Sequence, residues 1–103
     1  MQVLALSRRR PGVGGEQLSP LALAEAARAF ELIAAGVIRS AHMCPERPGS
    51  MLVLECAGLD EAARQLATLP MVQAGLIEFE LSRMLPYTGV RMLFADGYKE
   101  LGA

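Results

Sequence analysis

The chain has no tryptophan, only 5% aromatic residues and a single histidine. Proteins that stack bases need aromatic platforms, and proteins that grip phosphates need excess positive charge; a formal net charge of −1 supplies neither. Nucleic acid is therefore not an expected partner. No apolar run approaches the roughly 20 residues that cross a bilayer. MQVLALSRRR also sets its apolar residues ahead of its arginines, the reverse of a secretory leader, so a cytoplasmic protein without a membrane partner is expected. Two cysteines, Cys44 and Cys56, are too few for a disulfide framework and read as reduced thiols. A metal needs three or four converging ligands, which one histidine and two separated cysteines do not make, so no metal is expected. No cofactor is expected either. Residues 8–18, RRRPGVGGEQL, are rich in glycine but match neither phosphate-loop spacing and read as a solvated connection.

What the chain does have is apolar surface. Of its 103 residues 52% are hydrophobic and 20% charged, enough for one domain over 1–103 with some apolar area left for a partner subunit. Residues 2–7 are too short for a helix and read as a strand. Ser19-Pro20 reads as a helix cap and first turn, and the helix runs to about Ala35, with Leu23, Ala26, Ala27, Phe30, Ile33 and Ala34 as the buried stripe. Gly36 ends it. Strands over 37–44 and 50–57 flank the turn-forming residues 45–49 (PERPG) as an antiparallel hairpin. Symmetric closure sets Cys44 opposite Met51, His42 opposite Val53 and Ser40 opposite Glu55. Cys56 then lies near Arg39, roughly 17 Å along the strand from Cys44, beyond disulfide reach.

Asp60 caps a second, short helix whose Ala63, Leu66, Ala67 and Leu69 face the core, and Leu69-Pro70 closes it. After Gly75 comes strict alternation, with Ile77, Phe79 and Leu81 on one face and Glu78, Glu80 and Ser82 on the other. The apolar tail 90–103, one helical turn or an extended arm, must pack on this subunit or another. The order strand, helix, strand, strand, helix, strand predicts a ferredoxin-like α+β fold: a four-stranded antiparallel sheet with two helices on one face.

The Gly36 break, Arg39 on the following strand and the LATLP turn before the alternation of 77–81 resemble the dimeric α+β barrel proteins, and within them muconolactone isomerase most. MVQAGLIEFE is also similar to the V-x-A-G-L ending of YCII-related proteins. The resemblance implies a homodimer or higher homo-oligomer with open sheet faces pressed together. It also implies proton transfer on a small lactone or unsaturated acid, in a pocket between sheet and helices or at the subunit interface. Two departures stand out. Residues 3–6 (VLAL) are apolar where such isomerases present polar residues, and the His-Asp pair of a YCII-type site is absent.

From the residues themselves, His42 with Glu78 and Glu80 forms the candidate acid/base group, because all three fall on the face away from the helices. Arg39, Ser40 and Glu55 are the candidate substrate contacts, with Arg39 facing an anionic group on a small organic ligand. The structural alternative makes His42 a hydrogen-bonded histidine, Arg39 an edge residue and the glutamates interfacial. The methionines at 43, 51, 71, 84 and 92 read as core or interface filling. Two function classes follow: a small-molecule isomerase-like enzyme, or a non-catalytic dimeric module that binds a ligand or serves a structural role.

Overall fold

The computed structural model describes residues 1–94. Strands β1 (Gln2–Arg9), β2 (Ile38–Met43), β3 (Ser50–Glu55) and β4 (Ile77–Met84) form one antiparallel sheet in the order β2-β3-β1-β4. The period-2 pattern sorts its faces. Val3, Ala5, Leu52, Leu54 and Ile38 are buried beneath the helices, joined at the edge by the partly buried Phe79 and Leu81. Leu4, Leu6, Met51 and Val53 fall on the open face, only half covered. This is the ferredoxin-like arrangement that the element order predicts.

The helical layer comprises α1 (Gly15–Leu18), α2 (Ala22–Ala34), α3 (Leu59–Leu66) and α4 (Pro70–Gln73). Entry into α2 starts earlier than the Ser19-Pro20 signal. Arg8 and Arg9 extend β1, the Gly14 N–H donates to Gln17 Oε1 at 2.9 Å to open α1, and Pro20 sits inside a 3-10 turn, Ser19–Leu21. Half of the expected loop is therefore ordered structure. Gly36, at φ +80°, ends α2 as expected, and its N–H is bonded to the Ile33 carbonyl.

The phase of α2 is the main correction. The expected core stripe, Leu23, Ala26, Ala27, Phe30, Ile33 and Ala34, is exposed along its whole length, while Leu32 is buried and Leu21, Glu25, Arg28 and Ala29 are half-buried. At 100° per residue the two sets are diametrically opposed. The exposed stripe is the more apolar of the two, since the inner face carries Glu25 and Arg28, so periodicity alone selects the wrong rotation. Polar contacts select the other: the Met71 N–H donates to Glu25 Oε1 at 2.9 Å, and Arg28 Nε donates to Thr68 Oγ1 at 2.9 Å. Either bond is lost if the helix turns over.

Smaller corrections have local causes. Gly58, not Asp60, precedes α3; Asp60 lies in its first turn, and Glu61 reaches back to accept the Ala57 N–H. Ala62, Leu66 and the following Leu69 fill the core, whereas Ala63 and Ala67 are exposed. Pro70 opens α4 rather than merely ending α3, because its missing N–H costs nothing at a first helical position.

The hairpin pairs His42 with Met51 and Ser40 with Val53, two residues from symmetric closure, since β3 is anchored at Ser50 by the bond from its N–H to Ser7 Oγ. A shift of two preserves the face, and a bulge at Arg39 then returns Ile38 to the helix side opposite Leu54. Cys44 is half-buried, Cys56 is buried, and both are free thiols. Residues Thr88–Phe94 form a 3-10 helix with Val90, Met92, Leu93 and Phe94 exposed; the rest of the tail lies outside the described residues.

Candidate functional site

At the end of the sheet where β1 finishes and β3 begins, the helical layer leaves a cavity of about 480 Å³. Its position follows from the chain. β1 carries Ser7 on the same parity as Val3 and Ala5, and β3 carries Ser50 on the parity of Leu52 and Leu54, so both hydroxyls point under the helices at the mouth of the core. Leu18, Met43, Pro48, Met71 and Ile77 supply apolar walls, and Arg8, Arg9, Glu25 and Gly49 complete the lining. This matches the usual make-up of a small-molecule site: apolar walls with a few converging polar groups.

The polar floor is tightly held. Ser7 is buried; its Oγ accepts the Ser50 N–H at 2.7 Å and lies 2.9 Å from Ser50 Oγ. Arg47 braces the same corner, its guanidinium donating to the Ser7 and Ser50 carbonyls at 3.3 and 3.4 Å. On the opposite wall, α2 delivers Glu25 to the amide of Met71. Burial pushes the Glu25 carboxyl above the ordinary carboxylate range, and the Met71 N–H offsets part of that rise. Only Oε1 takes this bond; among the described residues Oε2 accepts none. A carboxyl on a cavity wall, with one oxygen fixed and its pKa raised, can both give and take a proton.

The residues singled out from sequence lie elsewhere. His42, Ser40, Glu55, Glu78 and Glu80 share the open face as expected, but strand order separates them. His42 on β2 and Glu80 on β4 occupy one cross-strand row at opposite edges, with β3 and β1 between, roughly 14 Å apart at ordinary strand spacing. One subunit therefore does not bring them together. Glu78 pairs with Arg8 at 2.8 Å and Arg10 at 3.8 Å. Glu55 pairs with the Met1 amine, which holds its carboxyl below the usual range. Arg39 donates to the Gly36 carbonyl at 2.8 Å, closing the turn after α2.

Glu25, Ser7 and Ser50 escaped the sequence reading because the wrong α2 phase turned Glu25 to solvent. A serine at the third position of an otherwise apolar inward row, Val3, Ala5 and Ser7, was the available signal.

A second depression, of about 590 Å³, lies at the far end of the sheet around Gly58, Arg64 and Arg83. Its acidic residues are Asp60 and Glu61, the second of which already accepts the Ala57 N–H. Among the described residues no three His, Cys, Asp or Glu side chains could hold a metal ion, and no helix is long and apolar enough to cross a membrane.

Strand order and one-sided helices thus define a ferredoxin-like α+β fold with a small cavity between sheet and helices. No protein-family model matches the chain, and no curated protein does. Among solved structures it is similar in fold to the 5-chloro-2-hydroxyhydroquinone dehydrochlorinase TftG from Burkholderia phenoliruptrix AC1100, in complex with 2,5-dihydroxybenzoquinone. The TM-score is 0.68 at 21% identity, over 86% of this chain and 98% of that one.

Proposed function

We propose that the chain acts on a small organic molecule in the Glu25 cavity, with Glu25 as the acid/base group of an isomerase-like or related lyase reaction. The observation that carries this reading is the Glu25 carboxyl itself, desolvated and half bonded on the wall of an apolar cavity. Glu25 takes a proton from one carbon of the substrate and returns it to another, or holds it while a leaving group departs. Ser50 donates from the floor to a carbonyl or enolate oxygen as charge gathers there, and Arg9 at the rim meets an anionic substituent. The fold neighbour is named for a reaction on a small hydroxylated ring, which favours ligands of that size. Pairing of the open sheet faces in a homodimer, as in muconolactone isomerase-like proteins, belongs to the same reading; it covers Leu4, Leu6, Met51 and Val53. Only across such a pair would His42 and Glu80 of different subunits meet.

The test is Glu25→Gln assayed on small cyclic lactones, unsaturated carboxylates and hydroxyquinones. Glutamine keeps an oxygen for the Met71 amide, so folding and ligand binding should persist while turnover falls by about 10²–10⁴. The pH dependence of kcat should show an ionisation above the ordinary carboxylate range. Turnover untouched by the substitution would remove Glu25 from the chemistry, and a ligand bound but never turned over would make this a non-catalytic binding module.

Stability supplies an independent check. A carboxyl whose folded pKa is raised binds its proton more tightly when folded, so stability falls as pH rises from the ordinary carboxylate range through the folded value. Glu25→Gln should therefore lie level with the parent in acid and above it at neutral pH. Thermal melts across pH will show whether that gap opens.

A further inference from the structure

We propose that the buried Ser7 hydroxyl sets the direction of the hydrogen bond across the cavity floor, so that Ser50 keeps a hydrogen to give and the site selects small molecules bearing an enolate or phenolate oxyanion over their protonated forms. This deepens the reading of the cavity as a small-molecule site and rests on it. Ser7 is then a positioning residue, and Ser50 the group that touches the ligand.

A serine hydroxyl has one hydrogen and two lone pairs. The Ser7 and Ser50 Oγ atoms lie 2.9 Å apart, so a hydrogen lies between them, and the distance fits either sense. Burial and the partners at hand choose the sense. Ser7 is 5% exposed, its Oγ already accepts the Ser50 N–H at 2.7 Å, and among the described residues its hydrogen has no acceptor other than Ser50 Oγ. With Ser50 donating instead, the Ser7 hydrogen would be stranded in a nearly closed place, which costs more than the bond returns. Ser50 is half-buried and lines the cavity, so its own hydrogen has open space ahead of it. The order is therefore Ser50 N–H to Ser7 Oγ, Ser7 O–H to Ser50 Oγ, and Ser50 O–H to the cavity. Each bond polarises the next, which makes the last hydrogen a stronger donor than that of an isolated serine. Arg47 holds both strands by their carbonyls and keeps the two residues from pairing otherwise.

The selectivity follows from charge. A hydrogen bond to an ionised oxygen is about twice as strong as one to a neutral oxygen, so this donor should favour an oxyanion over the parent hydroxyl by about fivefold. Glu25, Arg8 and Arg9 also line the cavity and act on the same charge. Their effect is common to every floor variant, so it cancels when the variants are compared with the parent.

The test uses a trifluorophenol, which carries one oxygen and ionises near neutral pH. Calorimetry on the full chain, at pH values either side of that ionisation, gives the dissociation constant of each form for the parent and for variants first shown to be folded by circular dichroism. Ser50→Ala keeps the backbone bond to Ser7, so the fold should persist while the preference for the phenolate falls by about fivefold. Ser7→Ala should lower the same preference by about twofold, and Ser7→Thr, which returns a hydroxyl, should restore it. A merely structural Ser7 would weaken both forms alike and leave their ratio unmoved. Leu18→Trp, which fills the cavity, should abolish binding. No binding by the parent, or binding untouched by Leu18→Trp, would overturn the cavity reading and this inference together. Binding that Leu18→Trp abolishes, with a preference between forms that survives Ser50→Ala or Ser7→Ala, would overturn this inference alone.

Discussion

Leu54→Ala should lower stability by about 3–5 kcal/mol, a large part of the ~5–15 kcal/mol that holds a domain of this size folded. Leu54 is fully buried, on a strand laddered on both sides, with Val3 and Ile38 as its cross-strand partners and Leu32, Leu66 and Leu69 in the same core cluster. Truncation loses the transfer free energy of the removed carbons and leaves a cavity. Two fixed backbones flank the gap, so the surroundings cannot relax into it. At about 4–8 °C per kcal/mol for a small domain, the melting temperature should drop by more than about 10 °C. Denaturant titration measures the difference directly. A loss of about 1 kcal/mol or less would mean that β3 presents its other face to the helices.

The second large effect is expected at Gly49. Its φ is +94°, where a residue with a Cβ is disfavoured by about 1–2 kcal/mol. A Cβ there would also sit well inside contact distance of the Ser7 carbonyl oxygen and close to the Ser7 hydroxyl. Backbone oxygen on a central strand cannot rotate away, so the hairpin must lift. Lifting breaks the Ser50 N–H bond to Ser7 Oγ and strains the Arg47 brace. Gly49→Ala should therefore cost about 3 kcal/mol or more, combining the conformational term with lost buried hydrogen bonds. Gly75→Ala, at φ +73° with nothing near its added carbon, should cost only the first term. The ordering of these two variants in thermal melts separates steric from conformational strain. Ligand binding should fall with Gly49→Ala as well, because Gly49 and Ser50 border the Glu25 cavity.

The same particulars show what could be read in advance. β4 was legible because alternation from Ile77 to Ser82 admits one phase, and its glutamates did land on the open face. Gly36 was legible because a helix end before a strand calls for a left-handed residue. The α2 phase was not, since the more apolar stripe is the exposed one and the inner face carries Glu25 and Arg28. Long-range bonds from Glu25 to Met71 and Arg28 to Thr68, across 46 and 40 residues, make the choice. The candidate site failed for a different reason. His42, Glu78 and Glu80 could be assigned to a face by parity, but parity is silent on strand order, and the order β2-β3-β1-β4 is what puts them at opposite edges.

The buried Cys56 gives the molecule a built-in reporter of its own opening. Burial, and then the negative charges of Glu61 and Glu55, push its thiol pKa up, so the thiolate that reacts with alkylating reagents is scarce in the native state. Cys44 lies half-buried in the β2–β3 connection and should be labelled quickly. Modification of the full chain under native conditions should thus run in two steps, a fast equivalent and a slow one. The slow rate should track the free energy of unfolding and accelerate sharply in Leu54→Ala. Two equal fast phases in the parent would show that the end of β3 frays without the core.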